Sequence, residues 1–230
     1  MLKSLFEKIK PAYFALLTGM CGGLTVLIGS ILYMLAEPFS LFSHWISHLG
    51  AGPNGAQYVF MVGLTITSIF ATIFIIFLFQ FLSNNIERHQ IMIWSAFLFG
   101  ILSIIGLEIN AIWNMRDNSQ LHITGSTTFF FAGLFMILFF SLSMIFCDEI
   151  ANSQAIIGFG VTGVFIAFLI SYVPYMTEGI DLMVLLKSTD LRAAPTRFIE
   201  WMVFFAIIFW FFEIGFYFLR KKTEIEVSPP

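Results

Sequence analysis

The chain alternates between long apolar runs and short polar connections. Six apolar runs have about 20 or more residues, the length a helix needs to cross a hydrocarbon core of ~30 Å. Unbroken runs without alternation favour helices over the strands of a closed barrel. We therefore predict an all-α integral membrane protein, a bundle of six transmembrane helices. The predicted spans are residues 13–36, 58–82, 91–113, 124–146, 155–175 and 198–219.

Residues 1–222 are expected to form a single six-helix transmembrane domain, followed by a polar, disordered cytoplasmic tail at 223–230. We expect no cleavable signal peptide, because the first apolar run is longer than a signal-peptide core. Composition agrees with a membrane protein: 59% of residues are hydrophobic and 11% are charged. The 30 phenylalanines are expected to pack between helices and against lipid, with an aromatic ligand cage as the alternative.

The distribution of Lys and Arg predicts that both termini are cytoplasmic. With six spans the two ends share a side, and that side carries seven of the 11 basic residues, including three lysines before the first span. The opposite, outer side carries longer connections, which are usually functional or disordered. The net charge of −3 and the absence of basic runs give no support to nucleic-acid binding.

The first outer connection predicts a short interfacial helix. Phe42, Trp45, Ile46 and Leu49 follow helical spacing, and the segment at 51–55 has turn-forming residues. His44 and His48 are four residues apart, so on a helix their rings share a face. This spacing suits either two zinc ligands or two histidines that bind water and headgroups.

Ionisable and polar residues gather at the outer ends of the predicted spans. A carboxylate such as Glu108 is costly at membrane depth unless it is paired, protonated or hydrated. One interpretation is an outward-facing polar pocket for a lipid headgroup, a metal or a small polar ligand. The other is a structural network, for example Glu108 paired with Arg116 or Arg197. The candidate residues are His44, Ser47, His48, Glu108, Asn110, Asn114, Arg116, His122, Arg197 and Glu200.

Two features bear on cofactors and protein partners. No cofactor is predicted, because no complete metal-binding motif is present; zinc is the alternative, with His44, His48, His122 and Glu108 as the candidate ligands. Gly19 and Gly23 have GxxxG spacing, which lets a helix of the same chain, of a homodimer or of another membrane protein approach closely.

The stretch Ile46-Ser-His-Leu-Gly50, followed by Pro53 and Phe60, resembles the DRAM/Frag/Sfk six-span membrane family. It is also similar to the bacterial and archaeal membrane family of unknown function 998. His48 departs from the first family, whose eukaryotic members usually have an acidic residue there. The resemblance implies a role with lipids, because these families include proteins of lipid-anchor remodelling, autophagy and phosphoinositide-linked membrane organisation.

Three functions remain open from the sequence. The leading hypothesis is a protein that interacts with membrane lipids or organises them. The second is a metal-dependent intramembrane hydrolase or transferase acting on lipids. The third is an accessory subunit of a larger membrane assembly.

Overall fold

The computed structural model describes residues 9–177 and 193–221, a part of the chain that contains helices and no strand. Within it, six helices are long and apolar enough to cross a membrane. The predicted six-helix membrane bundle is thereby confirmed, while the predicted tail at 223–230 lies outside the described residues. The helices are α1 (Ala12–Met34), α2 (Ala56–Asn85), α3 (Gln90–Ile112), α4 (Ser119–Ile145), α5 (Asn152–Thr177) and α6 (Ala194–Arg220).

Two helices begin about one turn before the predicted spans. The side chain of Asn118 caps α4 by accepting a hydrogen bond from the Leu121 N–H at 3.1 Å. Pro195 lies in the first turn of α6, where its missing N–H is not needed. The apolar pattern of the sequence detects the part of a helix that lies in the membrane. It does not detect a polar first turn that precedes this part. His122 and Arg197 therefore lie on helices rather than at their approaches.

The six helices form a closed ring in chain order. Each helix packs against its neighbours in sequence, and α6 packs against α1. Both ends of the described chain consequently lie at one end of the bundle, here called the terminal end. The other end, which carries the α1–α2 connection, is called the first-loop end.

Helices α3 and α4 lie in close contact at Gly106 and Gly125. A Cβ on Gly106 would lie 2.5 Å from the Phe129 nitrogen and 2.7 Å from the Gly125 oxygen. Contacts this short with main-chain atoms leave no room for a side chain. Small residues are the usual way for membrane helices to gain close van der Waals packing.

Phenylalanine rings of different helices pack against each other inside the bundle, in agreement with the prediction of packing between helices. The Phe74 and Phe211 ring centres are 6.0 Å apart, and those of Phe77 and Phe218 are 5.3 Å apart at an angle of 79°. Offset and edge-on pairs of this kind are favoured by the ring quadrupoles.

The first loop folds into the end of the bundle instead of lying flat on the interface. Its short helix is a 3₁₀ turn, Ile46–Ala51, and so starts later than predicted. Trp45 and Leu49 are 0% exposed whereas Phe42 is 55% exposed, so these apolar residues do not share one face. The predicted turn follows, with Asn54 at φ 52° and Gly55 at φ 85°.

Candidate functional site

Three side chains from the first two turns of α6 hold the main chain of the first loop. Arg197 and Trp201 each donate a hydrogen bond to a carbonyl, and Glu200 accepts one from an N–H. Residues three and four apart on a helix share a face, so one face of α6 makes all three bonds. We call these three side chains the loop clamp. Their partners are Phe42 O at 3.3 Å, His44 O at 2.9 Å and Ile46 N at 3.0 Å.

The loop clamp is almost completely buried. Arg197 is 0%, Trp201 1% and Glu200 5% exposed. The Arg197 guanidinium carbon lies 5.5 Å from the centre of the Trp45 ring, within the range of a cation–π interaction. Arg197 also interacts electrostatically with Glu200. Buried ionisable groups need such partners. The loop clamp side chains also provide hydrogen-bond partners for loop main-chain groups that water does not reach.

His44 lies in an aromatic cluster beside the loop clamp. Its ring centre is 4.8 Å from Phe39, 5.2 Å from Tyr33 and 5.6 Å from His48. The predicted closeness of the two histidines is thus present, although His44 precedes the 3₁₀ helix and the rings meet edge to face at 83°. Burial lowers the pKa of His44 below its ordinary value of 6.5, and the nearby Arg197 charge acts in the same direction. The neutral imidazole is therefore favoured at pH 7.

The connection between α3 and α4 is fixed by Asn114 and tied to the first loop by Arg116. Asn114 Oδ1 accepts from the main-chain N–H groups of Arg116 and Asp117, at 2.9 and 3.0 Å. Arg116 Nη2 donates to the Ala51 carbonyl at 3.0 Å, at the end of the 3₁₀ helix. Both side chains therefore satisfy loop main chain at the surface of the first-loop end.

Glu108 and Asn110 make separate contacts between neighbouring helices. Thr65 Oγ1 of α2 donates to Glu108 Oε2 at 3.2 Å, which provides the half-buried carboxylate of α3 with a polar partner. Ser126 Oγ of α4 donates to Asn110 Oδ1 at 3.1 Å. These bonds join α3 to a different neighbour on each side.

His122 is buried in the first turn of α4 and bonded locally. Its Nδ1 lies 3.0 Å from the Trp113 oxygen. Since a carbonyl can only accept, the ring proton is on Nδ1. The remaining candidate, Ser47, is buried within the 3₁₀ helix.

The candidate polar residues therefore divide into several local groups. Glu108, His122 and Glu200 bind Thr65, the Trp113 carbonyl and the Ile46 N–H, respectively. The arginines suggested as partners of Glu108 instead donate to loop carbonyls. Among residues 9–177 and 193–221, no three His, Cys, Asp or Glu side chains are grouped to hold a metal ion.

A cavity of about 40 Å³ lies at the centre of the helix ring. It is lined by residues from the middle of α1, α2, α3, α4 and α6, and none of the ten polar candidates lines it. The volume is well above the ~10–15 Å³ that one water-sized group needs. Representative lining residues are Thr18, Gly22, Ala71, Ile104, Met136 and Ile207.

The hydroxyl groups that line the cavity are bonded to carbonyl groups. Thr18 Oγ1 donates to Phe14 O at 2.8 Å, and Thr67 Oγ1 donates to Gly63 O at 2.7 Å. Ser103 Oγ of α3 donates to Phe129 O of α4 at 3.1 Å. The polar lining residues are thereby used for local bonds, and the other lining side chains are hydrocarbon or thioether.

The sequence reasoning missed both the cavity and Trp201. Thr67 and Ala71 are four residues apart on α2, and Thr18 and Gly22 are four residues apart on α1. Such a line of small side chains among larger apolar ones was a usable signal, since it lowers the volume on one helix face. Trp201 is four residues after Arg197, the spacing that shares a face.

The two glycines of the GxxxG motif face different surroundings. A Cβ on Gly19 would lie 2.9 Å from the Phe212 ring, so this glycine serves the internal contact between α1 and α6. A Cβ on Gly23 would meet no atom within 4 Å. Binding of a second copy through both glycines stays a prediction, and Gly19 is already used within the chain.

Comparison with known proteins gives no relative: no family model, curated protein or solved structure matches this chain. The resemblance to the DRAM/Frag/Sfk family and to family 998 accordingly stays a prediction. What the fold establishes is a multi-pass helical membrane protein.

Proposed function

We propose that this multi-pass membrane protein binds an apolar molecule of the bilayer, a lipid or a lipid-like compound, and takes one small apolar group of that molecule into the cavity at the centre of its helix ring. The observation that carries the proposal is the apolar cavity of about 40 Å³ that residues of five of the six spans line. Ligand sites are typically concave and mostly apolar, and bundles often hold them between helices. The bilayer supplies apolar ligands at high local concentration.

In this proposal, the polar residues at the first-loop end have a structural role. The loop clamp fixes the first loop over the end of the bundle, and Leu49 of that loop belongs to one apolar cluster with Phe60 and Trp201. The same apolar cluster includes Phe204, which also lines the cavity. The clamped loop thus supports one end of the cavity, and both termini are proposed to be cytoplasmic.

The proposal is tested with two neighbouring glycines of α1. A Cβ on Gly22 would lie 3.5 Å from Ile208 Cδ1 and Thr67 Cγ2, at ordinary van der Waals distance within the cavity lining. Gly22→Leu therefore tolerates the Cβ and fills the cavity with the rest of the side chain. Gly23→Leu is the matched control, because its Cβ meets no atom within 4 Å.

The measurement is native mass spectrometry of the protein gently extracted from membranes. Wild type and Gly23→Leu should retain the same small apolar molecule, whereas Gly22→Leu should lose it. Ala71→Leu, which fills the cavity from α2, should give the same loss if Gly22→Leu folds poorly. Equal retention in all folded variants, or no retained molecule in wild type, would contradict the proposal.

A further inference from the structure

Glu108 lies at the outer surface of the helix ring. Its neighbours one turn away on α3, Ile105 and Ile112, are 48% and 54% exposed. Residues three and four apart share a helix face, so the half-buried Glu108 lies at the edge of this lipid-facing surface. Its partner Thr65 on α2 is followed one turn later by Ile69, which is 54% exposed. The bond between Glu108 and Thr65 is therefore on the lipid side of the contact between α2 and α3.

The carboxyl group of Glu108 lies below the level of the lipid headgroups. Exposed Trp and Tyr rings mark that level in membrane proteins. At the first-loop end such rings are Trp113 and Tyr58, which are 42% and 62% exposed. Glu108 precedes Trp113 by five residues and Thr65 follows Tyr58 by seven, a distance of about 8–10 Å along the helices. Helix side chains lean towards the N-terminus of their helix, which for α3 is the terminal end, so Glu108 leans deeper still.

No basic side chain within residues 9–177 and 193–221 pairs with Glu108. Its polar partner is the Thr65 hydroxyl at 3.2 Å, whereas Thr18 and Thr67 donate to the carbonyl four residues earlier on their own helix. The Thr65 hydroxyl is thus directed across to α3. One hydroxyl replaces only part of the hydration of a carboxylate, which is costly in lipid without a further partner. The position is complementary to a cation from outside the chain.

The described residues of a second copy do not supply this cation. Arg116 lies in the exposed connection at the first-loop end, and Arg197 is fully buried in the loop clamp. The other described basic residues lie at the terminal end: Lys10, Arg88, Arg220 and Lys221. A lipid ammonium group lies at the headgroup level, above the carboxyl group. By contrast, a Lys or Arg side chain of a membrane-spanning helix is held at this depth by its own backbone.

The surface around Glu108 has room for such a helix. The share of buried residues is lower in α3 than in the other five spans. Apolar contact alone gives a protein helix little advantage over lipid, so a polar pair has to provide the preference. The exposed apolar side chains around the polar pair include Val62, Ile66 and Ile69 of α2 and Leu102 and Ile105 of α3.

We propose that the outer surface of α2 and α3 binds a transmembrane helix of another protein, one that carries Lys or Arg at the depth of Glu108. An acidic and a basic side chain are each costly alone in lipid, and both lose much of this cost when they bind each other. This docking surface is outside the helix ring and does not depend on a ligand in the central cavity.

Glu213 on α6 provides a matched control. It is the other half-buried carboxyl group within the described spans, and its neighbours Phe209 and Phe216 are exposed. Arg220 follows it by seven residues, which is two turns, and so lies on the same face of the same helix. Arg220 also leans back towards Glu213 from the terminal end. Glu213→Leu therefore removes a carboxyl group from lipid without touching the proposed surface.

The test uses the full-length protein and a synthetic probe in phosphatidylcholine vesicles. The probe is a single-span polyleucine helix with one Lys about 8–10 Å below the headgroup level. Two further probes have Leu or Glu in place of this Lys. Association is measured by energy transfer between a dye on the protein and a dye on the probe, for wild type, Glu108→Leu, Glu108→Gln and Glu213→Leu. Thermal unfolding of each variant confirms that it is folded.

Wild type and Glu213→Leu should bind the Lys probe about tenfold more tightly than the Leu probe, which corresponds to about 1.4 kcal/mol. Glu108→Leu should bind the two probes equally. Glu108→Gln keeps an acceptor for Thr65 but forms no ion pair, so it should lose most of the preference, and it decides the test if Glu108→Leu does not fold. The Glu probe should bind wild type no better than the Leu probe.

Equal binding of the Lys and Leu probes by wild type would overturn the proposal. So would a preference that Glu213→Leu removes and Glu108→Leu does not, or self-association of wild type that depends on Glu108. Phosphatidylethanolamine in place of phosphatidylcholine should leave the preference unchanged. Its loss there would show that a lipid ammonium group, and not a helix, is the partner of Glu108. The central cavity is tested separately by Gly22→Leu.

Discussion

At the scale of single residues, the first two turns of α6 bury two ionisable side chains, Arg197 and Glu200. Glu200 and Arg197 are 5% and 0% exposed, and a charge moved out of water is destabilising unless bonds replace its hydration. Glu200 accepts the Ile46 N–H, and Arg197 donates to the Phe42 carbonyl. These two hydrogen bonds fix the conformation of the first loop, because both partners are main-chain atoms of that loop.

Glu200→Gln and Glu200→Leu separate the hydrogen bond from the carboxyl group. Both variants remove the carboxyl group beside Arg197, but only glutamine keeps an oxygen that accepts from Ile46 N. Leucine leaves this buried N–H without its partner, at a cost of about 1–3 kcal/mol. Thermal unfolding in detergent should therefore show Glu200→Leu clearly less stable than Glu200→Gln. Equal Tm values for the two variants would show that the hydrogen bond between Ile46 N and residue 200 does not contribute to stability.

Side-chain directions were the part of the site that could not be predicted. Arg197 and Glu200 have the spacing of two residues on one helix face. Glu108 is a carboxylate at membrane depth, which costs free energy unless it has a polar partner. Neither fact tells which atoms they bind. The partners are loop carbonyls, a loop N–H and a threonine hydroxyl, and such groups are common to every sequence. The sequence therefore located the end of the bundle where polar residues gather. It did not reveal that these residues bind separate local partners.

At the scale of helices and loops, the spans were predictable because lipid imposes a minimum apolar length. The polar first turn of α4, capped by Asn118, was not predicted, because the cap rather than hydropathy sets where a helix begins. The first loop also differs from its prediction. An isolated amphipathic segment would lie on the interface, but Trp45 and Leu49 find room inside the end of the bundle.

The contact between α3 and α4 gives a test at this scale. Gly106→Ala places a Cβ within 3.0 Å of main-chain atoms of α4, which cannot move without shifting the helix. Overpacking of this kind costs about 1–3 kcal/mol, more than the ~1 kcal/mol that alanine gains over glycine in a helix. Gly163→Ala on α5 is the control, because its Cβ meets no atom within 4 Å. Thermal unfolding should show a lower Tm for Gly106→Ala and an unchanged or higher Tm for Gly163→Ala; the reverse order would show that the helices can separate freely.

At the scale of the whole molecule, the closed ring of six helices explains both the position of the termini and the cavity. Adjacent helices run in opposite directions, so α1 and α6 meet with the chain ends on one side. A ring of six also encloses a centre that its side chains must fill. Small residues such as Gly22 and Ala71 at that centre leave the narrow space that we propose as the ligand site.

The orientation of this ring can be measured by labelling single cysteines. Glu87 lies between α2 and α3 at the terminal end, Gln120 lies in the first turn of α4 at the first-loop end, and both are exposed. If the termini are cytoplasmic, a membrane-impermeant maleimide should label Gln120→Cys in intact cells and Glu87→Cys only after permeabilisation. The unsubstituted protein, with half-buried Cys21 and buried Cys147, sets the background. The opposite labelling pattern would invert the topology.

The most direct measurement is a crystal structure of the protein purified with its native lipids and not delipidated. We predict density for an apolar group of a bound molecule, in van der Waals contact with Gly22, Ser103 and Ile207. A bundle whose central side chains meet and leave no space, with no density among them, would contradict the claim that the centre of the ring is a ligand site.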